Sequence, residues 1–387
     1  MPTDHHILVL SYTPLERDGR VQRQIRFLLE LKNVAITVAA HGHCPIEDRR
    51  LRFLPLPRKR TLPRKLLAGI ALTLRQYRWY DPGFGSQAHA CRRLRGQKFD
   101  LIIANDVETL PAAFKLKSQS AKIILDAHEY EPRHYEDQLQ FRLLVQPWAI
   151  HLCRRYLREL DGMMTVGEEI ARTYERHFGA AASVVLNAPF YQQLHPTPTG
   201  RDRIDLIYHG VITKSRNPAV MLRLLDALDP RFHLNLMLIA TDSRHHRQFV
   251  AAAVRHPRAH LVQPVPPGEI ANTINSFDIG LSMLPPVNFN HMNAMPNKVL
   301  EFVQGRLALA VWPSPEIAAL VQRHGLGIVS EHFNVESLAG QLNRLDNAAI
   351  AAFKSASHRV AKALSAETAG NEVRRMVRVL IGADGNS

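Results

Sequence analysis

Short apolar runs alternate with longer helical stretches from one end of this chain to the other, and that alternation narrows the fold more than any other feature. In the first half the apolar runs fall at 7–10, 34–39, 101–104, 123–125, 163–166 and 183–186. Helical patterns occupy 20–31, 66–77, 109–116, 141–160 and 167–178. The second half repeats the plan, with runs at 206–208, 234–239, 261–262, 279–283, 307–311 and 328–329. Continuous apolar runs separated by helices predict parallel sheets with helices on both faces. A stretch rich in turn formers, 194–202, separates the halves and is the expected linker. The predicted architecture is therefore α/β, with two doubly wound, Rossmann-like domains facing each other across a cleft. Ligands of such sheets sit beyond the strand C-termini.

Several function classes drop out. No G-x-G-x-x-G opens either half and no Walker sequence occurs, which argues against a dinucleotide oxidoreductase or a P-loop enzyme. Cys44, Cys91 and Cys153 are scattered, without metal-site spacing or a disulfide framework, and fit a reducing cytoplasm. The apolar start at 6–11 is too short and poorly flanked for a signal peptide and reads as a first strand. No apolar run approaches the ~20 residues needed to cross a bilayer.

The densest chemical signal is Met-Pro-Asn-Lys-Val-Leu-Glu-Phe-Val-Gln-Gly at 295–305. Pro296 suits the first helical position, and Gly305 suits a left-handed helix end. Lys298 and Glu301 stand three apart and share a face near the helix start, where backbone N–H groups and the macrodipole attract anions. A cation for phosphate and a carboxylate for hydroxyls are what a nucleoside diphosphate needs. The same residues could equally serve as a solvated helix cap.

Pro-Asn-Lys-x-x-Glu-x-x-x-x-Gly before an apolar strand resembles the donor-binding segment of GT-B glycosyltransferases, close to the retaining family 4 (glycosyl transferases group 1). The resemblance extends to other segments. Tyr208-His-Gly-Val-Ile-Thr-Lys-Ser-Arg-Asn217 is similar to the family's diphosphate loop, with Gly210 at the glycine and Arg216 at the later cation. Val211 stands where an arginine is usual, and Lys214 is the nearby replacement. Asn293 stands at the first glutamate of the family's E-x7-E pattern, and Glu301 at the second. The departures leave donor sugar and fine mechanism open. By this resemblance Arg216 and Lys298 hold the donor diphosphate, Asn293 and Asn297 line the donor site, and Glu301 accepts from the ribose hydroxyls.

In the first half, Ile124-Leu-Asp-Ala-His-Glu-Tyr-Glu131 puts His128 and Glu129 at a strand's C-terminal edge. The resemblance implies that His128 lines the sugar pocket, as a donor-sugar contact or a proton relay near the acceptor; a structural histidine is the alternative. Asn105-Asp-Val-Glu-Thr-Leu-Pro111 is similar to the family's His-Asp-x-x-Thr-Leu-Pro, and Asp106 is read chiefly as a helix cap that could also shape the acceptor pocket. Asp18-Gly19-Arg20-Val21 closes a loop that borders the cleft in GT-B enzymes. Asp18 fits an N-cap, and Arg20 either reaches an anion or lies on the outer helix face. Weaker echoes at 165–167 and 186–189 fall in the expected order. The family also implies a C-terminal helix, 366–387, packing back on the first domain. The domains are then 1–195 for the acceptor and 196–365 for the nucleotide sugar.

The formal net charge of +14 calls for an anionic partner. Arg58, Lys59, Arg60, Arg64, Lys65, Arg75 and Arg78 crowd a segment with no acidic residue, where Leu66, Ile70, Leu74 and Tyr77 share a helical face. That pattern suits an anionic membrane surface, although a surface helix with its apolar face in the core has the same periodicity. No nucleic-acid motif accompanies the charge, so no specific nucleic-acid partner is expected. The chain reads as a metal-independent glycosyltransferase on the inner face of the plasma membrane. It would move a sugar with retention from a nucleoside diphosphate to a lipid-linked or saccharide acceptor, needing no cofactor beyond that co-substrate. A non-catalytic sugar-nucleotide sensor or scaffold, an epimerase and an inverting transferase are the alternatives.

Overall fold

The computed structural model describes residues 5–57, 62–77, 80, 86–200, 202–241 and 243–382. The chain forms two compact units: one from 1–185 with Asn288–Asn290 and Gly370 onward, the other from 186–287 with 291–369.

The first unit carries seven strands: β1 (His5–Pro14), β2 (Val34–His41), β3 (Leu51–Pro55), β4 (Leu101–Asn105), β5 (Lys122–Ala127), β6 (Gly162–Thr165) and β7 (Ser183–Val184). They pair in parallel in the order β3-β2-β1-β4-β5-β6-β7. The second unit carries β8 (Ile204–Val211), β9 (Phe232–Ile239), β10 (Ala259–Val262), β11 (Ile279–Ser282), β12 (Ala308–Val311) and β13 (Gly327–Val329), ordered β10-β9-β8-β11-β12-β13, again parallel. Both are doubly wound, with the strand order reversing at β1/β4 and at β8/β11. Helices covering both faces explain the continuous apolar strands; Ile7, Leu8, Val9 and Leu10 are all fully buried.

Four helices matter below: α1 (Gly19–Leu29), α2 (Leu62–Thr73), α3 (Asn297–Gln304) and α4 (Ala366–Ile381). The first unit counts α4 from Gly370 onward. There a Cβ on Gly370 would lie 2.6 Å from the Phe27 ring, Met376 packs on Gly162, and Arg374 pairs with Glu30 of α1's C-cap. Asn290 also belongs to this unit, accepting from the Tyr130 N–H (2.9 Å) and donating to its carbonyl (3.2 Å).

Several local expectations change. The units divide at 185/186, ahead of the boundary at 195/196, because Leu186, Ala188 and Tyr191 already pack into the second core. The turn-rich stretch 194–202 is strapped to the second unit: Asn275 donates to the His195 carbonyl, and Thr197 donates to that of Asn275. The helix expected over 141–160 is a π turn (Phe141–Val145), an α-helix (Gln146–Tyr156) with Pro147 in its first turn, and a 3-10 turn (Leu157–Glu159). Helix α2 begins at Leu62 and ends at Thr73, shortly before Arg75 takes a positive φ of 54°.

Candidate functional site

In the second unit, β8 ends beside the start of α3. Pro296 is the N-cap of α3, one position outside the expected first helical residue, and it offers no side-chain acceptor to the helix's first N–H groups. The helix end also differs. Gly305 has φ −76°, while the left-handed residue is Arg306 at φ 60°. Arg306 holds that conformation because its buried guanidinium donates to the carbonyls of Gln192, Leu194, Val303 and Gln304. Gly305 is required for space instead: a Cβ there would stand 2.6 Å from the Ile274 side chain.

Lys298 and Glu301 emerge from one face of α3 and meet consecutive residues of β8. The Lys298 ammonium lies 3.6 Å from the centroid of the Tyr208 ring. Glu301 Oε2 lies 3.3 Å from His209 Nε2, and the His209 ring stands edge-on to Phe302 at 5.2 Å. Gly210 follows with φ +121°, a conformation that side chains disfavour, and a Cβ there would sit 3.8 Å from Lys298 Nζ. The chain then enters a 3-10 turn, Lys214–Arg216, which brings half-buried Arg216 beside the Tyr208 phenol. The side chain of Lys214 lies outside the described residues.

Burial and charge set the protonation of this cluster. His209 is pushed down to about 3, first by burial and then by the Lys298 ammonium, so its imidazole is neutral. Lys298 is lowered by burial, with Tyr208 and Glu301 pulling the other way. Burial alone would raise the Tyr208 phenol, yet Lys298 and Arg216 together hold it below the ordinary value. The His209 Nε2 atom is buried and makes no aligned hydrogen bond. Asn293 is buried, and Asn297 is exposed as the first residue of α3. Tyr208 and His209 escaped the sequence reading; two ring-bearing polar residues immediately before a strand-end glycine were the available signal.

The first unit gathers a second polar cluster at the C-terminal ends of β4 and β5, at its own switch point. Asp18 caps α1, accepting from the Val21 N–H at 3.0 Å. Arg20 is not an outer helix residue: it is buried, and the anion it reaches is the Asp126 carboxylate, clasped through Nε (2.9 Å) and Nη2 (2.5 Å), with Nη1 on the Val185 carbonyl. Burial would raise the Asp126 carboxyl, but Arg20, His128 and Gln24 hold it below the usual range.

Asp106 does not cap the following turn with its side chain. Its carboxylate accepts the His128 backbone N–H at 3.0 Å and lies 3.3 Å from His128 Nδ1, while its backbone takes φ 63° and ψ 152°. Such a backbone is costly for a residue with a Cβ and clusters at functional positions. Burial raises the Asp106 carboxyl. His128 Nε2 is buried, 3.8 Å from Asp126 and without a hydrogen-bond partner. Glu129, raised by burial, stands 3.0 Å from His134. Burial opposes the charge on His134, but Glu131 and Glu129 lift it to about 9.

Of the basic segment, Arg58, Lys59, Arg60 and Arg78 lie outside the described residues, as do the side chains of Arg64 and Lys65. Arg75 is exposed. Among the described residues no group of histidine, cysteine and carboxylate side chains could hold a metal ion, and no helix is long and apolar enough to cross a membrane.

No protein-family profile and no curated protein matches the chain. Solved structures do. Sucrose-phosphate synthase from Thermosynechococcus elongatus superposes with a TM-score of 0.75 at 12% identity, over 98% of this chain and 100% of that one. HepE from Anabaena, in complex with UDP-glucose, gives 0.70 at 13% identity, over 97% and 100%. Trehalose-6-phosphate from E. coli, bound with UDP-2-fluoro glucose, gives 0.66 at 11% identity, over 97% and 99%. The likeness spans several GT-B enzymes and does not single out family 4. The chain has the GT-B fold, built from two Rossmann-like α/β domains.

Proposed function

We propose that the protein is a glycosyltransferase that takes its sugar from a nucleoside diphosphate donor. The observation that carries this reading is the convergence of Lys298, Glu301 and left-handed Gly210 at the mouth of one helix. A glycosyl diphosphate breaks by losing a charged phosphate, and Lys298, Arg216 and the α3 N-terminus supply fixed positive potential for it. Glu301 accepts from the ribose hydroxyls, with neutral His209 beside it.

The finer assignment is to the retaining family 4 type. The bond from the anomeric carbon to the donor phosphate oxygen breaks, its electron pair leaving with the phosphate. The acceptor oxygen bonds the same carbon on the same face, and its proton passes to the departing phosphate oxygen. In the first unit, Asp106 holds His128 as a contact for the sugar or acceptor, with Asp18 and Glu129 as further acceptor residues.

The acceptor is lipid-linked, in surface polysaccharide or glycolipid assembly, and the enzyme rests on the cytoplasmic face of an anionic membrane. Exposed leucines support this. Leu67 and Ile70 on α2 are 65% and 54% exposed, Leu74 just after it is 61% exposed, and the π turn packed against α2 adds Leu143 at 65%. Helix α2 buries Ala68, Ala71 and Leu72 but leaves this second apolar strip in solvent, within a segment of ten cations and no acid over residues 49–80.

The test is a turnover assay with UDP-, GDP-, ADP- and CMP-sugars, with and without polyprenyl phosphate acceptors. Transfer or slow hydrolysis, with an anomeric proton of unchanged configuration by NMR, is the expected result. Inverted product would make it an inverting transferase. Tight binding without turnover would make it a sensor, the reading favoured by Val211 and Asn293 at positions where the family places charge.

A further inference from the structure

We infer that Tyr208 is a positioning residue for the diphosphate, holding Lys298 and Arg216 in place before the donor arrives. The inference rests on the nucleotide-binding reading of the site and adds a residue that no sequence motif marks. Three observations support it. The Lys298 ammonium stands over the ring face at 3.6 Å from its centroid, within the range of a strong cation–π contact. Tyr208 itself is buried, so its ring is fixed by the β8 strand and the surrounding core. Arg216 and Lys298 both flank the phenol, so one side chain touches both cations assigned to the leaving group.

The physical need is plain. Lysine has four rotatable bonds and a strongly hydrated head, and it ordinarily loses much freedom when it grips an anion. A ring beneath it confines the ammonium to one place. Two cations close together also repel. An electron-rich ring and a phenol oxygen between them lower that repulsion until the diphosphate takes over. The neighbouring Gly210 is needed for its φ of +121° rather than for space, since a Cβ there would make only ordinary contact with the ammonium at 3.8 Å.

The test is calorimetric titration of the full chain with UDP, GDP and ADP, each beside its nucleoside. Tyr208→Met keeps bulk and removes the ring; Tyr208→Phe keeps the ring and removes the hydroxyl. Tyr208→Met should weaken the diphosphate about tenfold, the scale of one well-placed cation–π contact, and leave the nucleoside unchanged. Tyr208→Phe should lose about threefold or less. In a Lys298→Met background, Tyr208→Met should cost clearly less than in the wild type. Equal diphosphate affinity in Tyr208→Met and wild type overturns the inference while the nucleotide site stands. So does an equal loss for nucleoside and diphosphate, which marks a packing defect. If Tyr208→Met does not fold, Tyr208→Leu takes its place; a Leu variant that also fails to fold assigns the ring to core packing and overturns the inference. Wild-type protein that binds none of the three diphosphates sinks the functional reading itself.

Discussion

Glu301 Oε2 lies 3.3 Å from His209 Nε2, and the imidazole carries no charge because burial and the Lys298 ammonium keep it at about 3. The contact is therefore between a carboxylate and a neutral ring. Glu301→Ala is expected to weaken nucleoside diphosphate binding by about 2 kcal/mol, the worth of hydrogen bonds to a charged acceptor. Titration calorimetry measures it, and unchanged affinity would remove the ribose role.

Lys298→Ala should act mainly on turnover. Charge builds on the leaving phosphate as the glycosidic bond breaks, so loss of this fixed cation should cost about 2–4 kcal/mol of transition-state stabilisation. Steady-state kinetics on the best donor decide it. A kcat near the wild-type value would refute the assignment.

Arg20 and Asp126 form a buried pair whose rupture strands a charge. Arg20→Ala should destabilise the first unit by about 3–5 kcal/mol, read by urea denaturation. The acid side gives a second check. Asp126 lies below its ordinary value of 3.8, so its contribution is present above that value and fades as pH falls through the native-state one. The variant should lose that share of acid sensitivity.

His134 predicts the opposite slope. Its folded value of about 9 exceeds the ordinary 6.5, so the stabilisation is complete below 6.5 and disappears as pH rises through 9. Of its partners, Glu131 is 16% and Glu129 42% exposed, so solvent trims the effect to about 1 kcal/mol. His134→Gln should flatten the stability profile between those limits; an unaltered profile would discard the ion-pair account.

Vesicle sedimentation addresses the surface around α2. Exchanging Arg64, Arg75 and Arg78 for Gln should reduce partitioning onto phosphatidylglycerol vesicles by roughly 100-fold, at about 1 kcal/mol per cation. Leu67→Gln with Leu143→Gln should release the protein at constant charge. Binding that survives both sets would move the membrane contact elsewhere on the molecule.

The strands that were legible in the sequence are those buried on both faces, such as β1 and β4, where every position favours apolar residues. Strand β3 was missed because it pairs along one edge only, and Arg52 is exposed within Leu51–Pro55. Helix Ser86–Arg93 was missed because it is short and polar. At the site, Lys298, Glu301 and Gly210 were readable because their spacing is local. Tyr208 and His209 were not, since their partners lie some ninety positions away and meet them only after β8 and α3 dock. The anion that Arg20 reaches was unreadable for the same reason: its carboxylate sits at 126. Glycine rules assigned the left-handed turn to Gly305, but four backbone acceptors around one guanidinium gave it to Arg306.

The twist at Gly210 works as a fingerprint for comparison across species. A cousin of this protein bearing any larger residue there would have to reroute its main chain where β8 gives way to the following turn, so that single site sorts descendants that kept this bend from those that abandoned it.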